Sequence, residues 1–184
     1  MDLQIMVQDT PNPNAKKFVM NKPVKREGKS TYHNQEETFN NILAHDLMGV
    51  AHVDSVHFFK NVITVTQDGM AEWEDLEWLV KAILETRMPI HNPDYQDKPA
   101  EPQEKPKPKD PELLKIDEIL DRTVRSALQV DGGDIELLAI EDNYLMVRYL
   151  GACGSCPAST AGTLQAIQSI LRDEYRDDIQ VVIA

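Results

Sequence analysis

Several things are scarce in this 184-residue chain, and each scarcity excludes a chemistry. No apolar run approaches the roughly 18 residues that a membrane-spanning helix needs, so no membrane partner is expected. Positive charge is short: 19 Lys and Arg face 31 Asp and Glu, a formal net charge of −12. Phosphate backbones are bound by clustered cations, so no nucleic-acid partner is expected either. The opening MDLQIMVQDTPNPN has an acid at Asp2 and only a brief apolar stretch. It matches neither the basic start and long apolar run of an export signal nor an Arg-rich presequence, which leaves a reducing, cytoplasmic setting as the expectation. Histidine is absent after His91, and cysteine is limited to Cys153 and Cys156. Two thiols at CxxC spacing in such a setting point to metal binding or redox work rather than to a structural disulfide.

What is present is ordinary globular material, 41% apolar and 27% charged, in a length that suits one large domain or two small ones. The division falls at NPDYQDKPAEPQEKPKPKDPE, residues 92–112, which holds six of the eleven prolines. Apart from Tyr95 and Ala100 it has nothing to bury and cannot offset the entropy of ordering. Extended proline-rich chain rises about 3.1 Å per residue, so about twenty residues can separate two domains by roughly 60 Å. The expected organisation is a first domain over 1–90, a proline-rich linker over 91–112 and a second domain over 113–184. Both domains read as α+β and sandwich-like.

In the first domain, Leu3–Gln8 alternates as a strand, PNPN at 11–14 turns, and Lys17–Met20 is a second strand. Helical spacing over Thr38–Leu47 places Phe39, Ile42, Leu43 and Leu47 on one face. Val53–Phe59 and Val62–Thr66 form a hairpin turning at Lys60-Asn61. Ala71–Arg87 is an amphipathic helix with Trp73, Leu76, Leu79 or Val80, and Ile83 or Leu84 inward. Trp78 falls beside that stripe and reads as core rim. The second domain reads α-β-β-α-β: a helix over Leu113–Leu128, stopped at Asp131-Gly132-Gly133-Asp134, then strands at Ile135–Ile140 and Tyr144–Leu150. The cysteine loop follows, then a helix from Pro157 to Tyr175 and a last strand at Ile179–Ile183.

The cysteines sit where a strand gives way to a helix. Gly151 and Gly154 allow the loop to bend around a bound object, and Pro157 suits the first helical position. The positive end of the helix dipole favours thiolate, the form that binds metals. A disulfide closing so short a loop constrains little of the unfolded chain. A thioredoxin-like dithiol needs most of its fold after the motif, and only 28 residues follow Cys156. Zinc and iron–sulfur clusters generally take four protein ligands, whereas the second domain offers two thiols and no histidine. Two chains on a twofold axis supply four. Spacing leaves both metals open; a shared site that opens with the dimer favours iron–sulfur over a zinc-bridged interaction module. His45, His52 and His57 read as surface or rim positions, and Asp131 and Asp134 as turn residues.

DGGD at 131–134, the two strands, GxCxxCP at 151–157 and GTLQAI at 162–167 closely resemble the C-terminal domain of NifU-like (Nfu-type) iron–sulfur proteins. TPNPNAKKF at 10–18, the Gly49-Val50, Phe58-Phe59 and Ile63–Thr66 pattern and the helix with Trp73 resemble the Nfu N-terminal domain. The resemblance implies a scaffold and carrier, not an enzyme. It implies a [4Fe–4S] cluster held between the CxxC motifs of a homodimer, with Cys153 and Cys156 as ligands. Its partners would be apo iron–sulfur client proteins and other cluster-assembly factors, and its cluster labile and close to solvent. Ala158-Ser159 stands where the family commonly has Ser-Ser. The first domain is expected to dock clients while the linker lets the cluster domain swing.

Overall fold

The computed structural model describes residues 2–96, 110–154 and 157–184, with residues 157–161 described by their backbone alone. Cys156 and residues 97–109 of the expected linker therefore lie outside the described residues. The chain divides into two compact units, Met1–Glu101 and Pro102–Ala184.

The first unit is built on an antiparallel sheet of β1 (Ile5–Asp9), β2 (Ala15–Met20), β3 (Lys25–Tyr32), β4 (Val53–Lys60) and β5 (Val62–Gln67). Their spatial order is β1-β2-β5-β4-β3. Helices α1 (Ile42–Met48) and α2 (Trp73–Arg87) complete the unit. Phe18, Phe58, Ile63 and Val65 of the sheet form one core with Leu43 and Leu47 of α1 and Leu76, Val80 and Leu84 of α2. Of the alternatives along α2, Val80 and Leu84 are therefore the inward residues.

Three features depart from the expectations. β3, with the polar sequence KREGKSTY, was not anticipated: its register against β4 slips between Lys25 and Lys29, and Gly28 lies at φ 70, so its alternation is broken. α1 begins later than expected because Asn41 caps it, accepting from the Ala44 N–H at 3.1 Å. Phe39 then stands outside the helix, left-handed at φ 45 and exposed. Trp78 is 70% exposed and belongs to the surface, not to the rim of the core. The hairpin forms as expected, with Lys60 taking φ 51 where a glycine would be easier.

Packing of the first unit also runs past residue 90. His91 Nε2 lies 2.7 Å from the Val24 carbonyl, Tyr95 meets the His91 ring edge-on at 5.5 Å, and Lys25 Nζ sits 3.8 Å over the Tyr95 ring.

The second unit comprises α3 (Pro111–Thr123), α4 (Arg125–Val130), β6 (Gly133–Glu141), β7 (Tyr144–Gly151), α5 (Pro157–Glu174) and β8 (Gln180–Ile183). This is the expected α-β-β-α-β order with its first helix broken at Val124. The break has a local cause: Thr123 Oγ1 donates to the Ile119 carbonyl at 2.6 Å, a bond that bends helices, and a β-branched valine follows. β7 lies between β6, antiparallel to it, and β8, parallel to it, with α5 as the crossover. Ile116 and Leu120 of α3, Ile135, Leu145, Val147 and Ile167 are fully buried together.

Candidate metal centre

The site is assembled by the β6–β7 hairpin. Gly132 adopts φ 80 after α4, where an L side chain would be strained, and its carbonyl accepts from the Ala152 N–H at 3.1 Å. Gly133 then opens β6 directly opposite Gly151, the last residue of β7. Two glycines facing each other leave a gap in the side-chain layer, and Cys153 fills it. A Cβ placed on Gly133 would overlap the Cys153 sulfur and stand 2.9 Å from Cys153 Cβ. Gly151 itself lies at φ 62, and the Gly154 N–H returns to its carbonyl at 3.0 Å. Gly154 also passes close to β7, since a Cβ there would come within 3.3 Å of the Tyr149 carbonyl. Both loop glycines thus do the bending expected of them, and α5 begins at Pro157 as expected.

Cys153 is only 7% exposed and packs within the core of the second unit. The cause is the Gly133–Gly151 gap; the sequence reading took Gly133 as part of a helix stop and Gly151 as a loop-bending residue. Cys156, the other expected ligand, lies outside the described residues. Among the described residues, no group of three or more His, Cys, Asp and Glu is arranged to hold a metal ion.

One neighbour of the sulfur, Tyr149, was missed. Ile135 opposes Tyr149 in the hairpin, one same-face step from the Gly133–Gly151 pair. Burial and the nearby Cys153 charge push the Tyr149 phenol up to about 12, so it stays protonated at neutral pH. Its hydroxyl is buried and has no hydrogen-bond partner among the described residues. Beside Gly133, Asp134 is fully buried, accepts from the Ile135 N–H at 2.7 Å and lies 3.3 Å from Arg125 Nε. That ion pair is Coulombic rather than a directed hydrogen bond. Arg125 also donates to Asp117 at 2.7 Å and pairs with Asp121, so it ties α3 and α4 to the start of β6. Asp134 is more than a turn residue.

The histidines have partners of other kinds. His52 Nδ1 lies 3.1 Å from Asp68, and His45 Nδ1 lies 3.6 Å from Asp46. His57, expected at the surface or rim, is buried in β4 with Nδ1 2.8 Å from Thr31 Oγ1.

These features define a two-unit α+β protein with a thiol loop at a strand-to-helix junction. Residues 116–182 match the NifU-like domain, and residues 5–89 match the N-terminal domain of the scaffold protein Nfu/NifU. Over 91% of its length the chain is 32% identical to the human "NFU1 iron-sulfur cluster scaffold homolog, mitochondrial", of which it covers 66%. It is 30% identical, again over 91% of its length, to the protein of the same name from Drosophila persimilis, of which it covers 60%. A solved NifU-like protein from Saccharomyces cerevisiae aligns at 21% identity with a TM-score of 0.44, over 47% of this chain and 79% of that one. The chain belongs to the NifU-like (Nfu-type) family of iron–sulfur cluster scaffold proteins. It spans 60–66% of the length of these two relatives.

Proposed function

We propose that this chain is a carrier that binds a [4Fe–4S] cluster through Cys153 and Cys156, shares it with the same pair of a second copy, and passes it to apo-proteins. The observation that carries this reading is the Cys153 sulfur, lodged against Gly133 at the strand-to-helix junction of a unit with one other thiol and no histidine. Two soft ligands per chain become four when two loops meet on a twofold axis. The relatives' names, which specify iron–sulfur cluster scaffolds, support a cluster over a bridging zinc.

Transfer follows as ligand exchange. One iron–thiolate bond to this chain breaks as one to a client cysteine forms; the client thiol releases a proton and the departing sulfur gains one. No electron changes hands and the cargo leaves chemically unaltered, so the role proposed is that of a carrier and not an enzyme. Charge favours departure: residues 113–184 hold 12 acids and 6 bases, and a four-thiolate [4Fe–4S] unit adds roughly two further negative charges. Burial of Cys153 keeps the empty loop's thiol shielded. The first unit serves client docking, to which the exposed Trp78 is suited. A reducing compartment fits such a site, whether the cytoplasm expected from the sequence or the mitochondrion in the relatives' names.

Anaerobic native mass spectrometry after reconstitution with iron and sulfide tests this. A dimer carrying four irons and four sulfides, absent in Cys153→Ser, is the expected result. A zinc dimer that takes up no iron, or a metal-free monomer, would overturn the reading. Chains lacking residues 1–96 should still load but transfer more slowly to some clients.

A further inference from the structure

We infer that Tyr149 is a positioning residue of this site, its phenol O–H donating a hydrogen bond to the Cys153 sulfur once that sulfur is an iron-bound thiolate; the inference rests on the function proposed above. The starting point is an anomaly. The Tyr149 hydroxyl is buried without a partner among the described residues, in a core where Phe would pack as well and leave nothing unsatisfied. A buried orphan of this kind carries a desolvation cost and calls for an explanation.

The hairpin register supplies one. Side chains two residues apart on a strand share a face, so the Ile135–Tyr149 pair adjoins the gap at Gly133–Gly151 on the same side of the sheet. The Cys153 sulfur occupies that gap, against Gly133. The phenol is thus a neighbour of the sulfur. The hydroxyl makes no hydrogen bond to the sulfur in the empty protein, and a neutral thiol, being a weak acceptor, offers little to draw it there. A metal-bound thiolate is a strong, charged acceptor, and the same donor then gains a charge-assisted bond. Donors to ligating sulfur strengthen metal retention and raise the reduction potential of clusters. The orphan is therefore a property of the empty state, and the loaded state resolves it.

Tyr149→Phe in the full chain separates this role from packing. In the empty protein, amide exchange of β6 and β7 should be unchanged or slower, because the substitution removes only an unsatisfied group. After reconstitution, loss of the cluster to an iron chelator should quicken by about tenfold, the lower end of the range for outer-shell partners. The reduction potential of the loaded variant should move to a more negative value. Loss of cluster at the wild-type rate with an unchanged potential would overturn the inference while leaving the carrier function standing. Faster exchange in the empty variant would also overturn it, by showing that the hydroxyl already has a structural partner. If the wild-type chain takes up no cluster at all, the proposed function fails and this inference fails with it.

Discussion

Replacing Gly133 by Ala tests whether the gap in the β6–β7 hairpin is what holds the Cys153 sulfur. Gly133 does not lie in the left-handed region, so a methyl group adds no backbone strain there. Chain entropy alone would favour Ala over Gly within a strand by about 0.5–1 kcal/mol. Against that, the new Cβ would overlap the Cys153 sulfur and stand 2.9 Å from its Cβ and 3.0 Å from its backbone nitrogen. The loop has little room to retreat, because the Ala152 N–H is tied to Gly132 and the Gly154 N–H to Gly151. Overpacking of this kind costs about 1–3 kcal/mol, so sterics outweigh entropy and the net loss runs up to about 2.5 kcal/mol. Amide hydrogen exchange of β6 and β7 in the full chain reads that loss directly. The same collision forces the sulfur toward solvent, so Cys153, 7% exposed in the native unit, should react faster with iodoacetamide. Native exchange together with native alkylation would refute the claim that the Gly133 gap seats the thiol.

Gly132→Ala should cost about 1–2 kcal/mol by a different route, since φ 80 strains any L side chain; unchanged exchange in β6 would show that the turn relaxes. Arg125→Met withdraws the cation beside buried Asp134 and should destabilise the second unit by about 3 kcal/mol, while a neutral result would mean that Asp134 is satisfied without it. In the first unit, Leu84→Ala should cost about 2–5 kcal/mol and Trp78→Ala no more than about 0.5 kcal/mol, read from the thermal transition of each variant. His91 is held below the ordinary imidazole value of 6.5 by burial, against the pull of its Val24 hydrogen bond, with the Lys25 charge assisting. Its folded value is depressed, so the unfolded chain binds more protons. The stability it contributes is complete above pH 6.5 and is lost as pH falls toward the folded value. An NMR titration of His91 at or above 6.5 would contradict this.

How much of this was legible depended on whether local pattern and tertiary contact agreed. The helix over Trp73–Arg87 and the β4–β5 hairpin carry clean periodicities and emerged close to their observed bounds. β3 did not, because a bulge at Gly28 and its polar composition erase the alternation that marks a strand. The candidate metal centre shows the same limit. Cys153 and its loop glycines were recognisable from spacing, but the role of Gly133 was not. Counting back from the Glu141–Tyr144 pair without interruption sets Gly133 against Ala152. Leu138 is an extra residue on β6, between Leu137 opposite Val147 and Ala139 opposite Met146, and it shifts the register so that Gly133 meets Gly151. One bulged residue therefore decides whether the hairpin has a gap for the sulfur.

Under the proposed function, that bulge links stability to cargo. A carrier must keep its ligand thiol from oxidation and wrong metals while empty, yet present it when a cluster arrives. An exposed loop thiol would meet the second requirement and fail the first. Here the glycine pair stores the Cys153 sulfur in the core of the second unit, beside a hydroxyl that is unsatisfied while the sulfur is neutral. The seat is thus good sterically but, while the sulfur is neutral, poor electrostatically, and a metal-bound thiolate in the same seat relieves that imbalance. Filling the gap should abolish storage while leaving both cysteines in place, whereas removing the hydroxyl should leave storage intact and loosen the cargo. Gly133→Ala and Tyr149→Phe are therefore expected to fail in opposite states of the protein, the first when empty and the second when loaded.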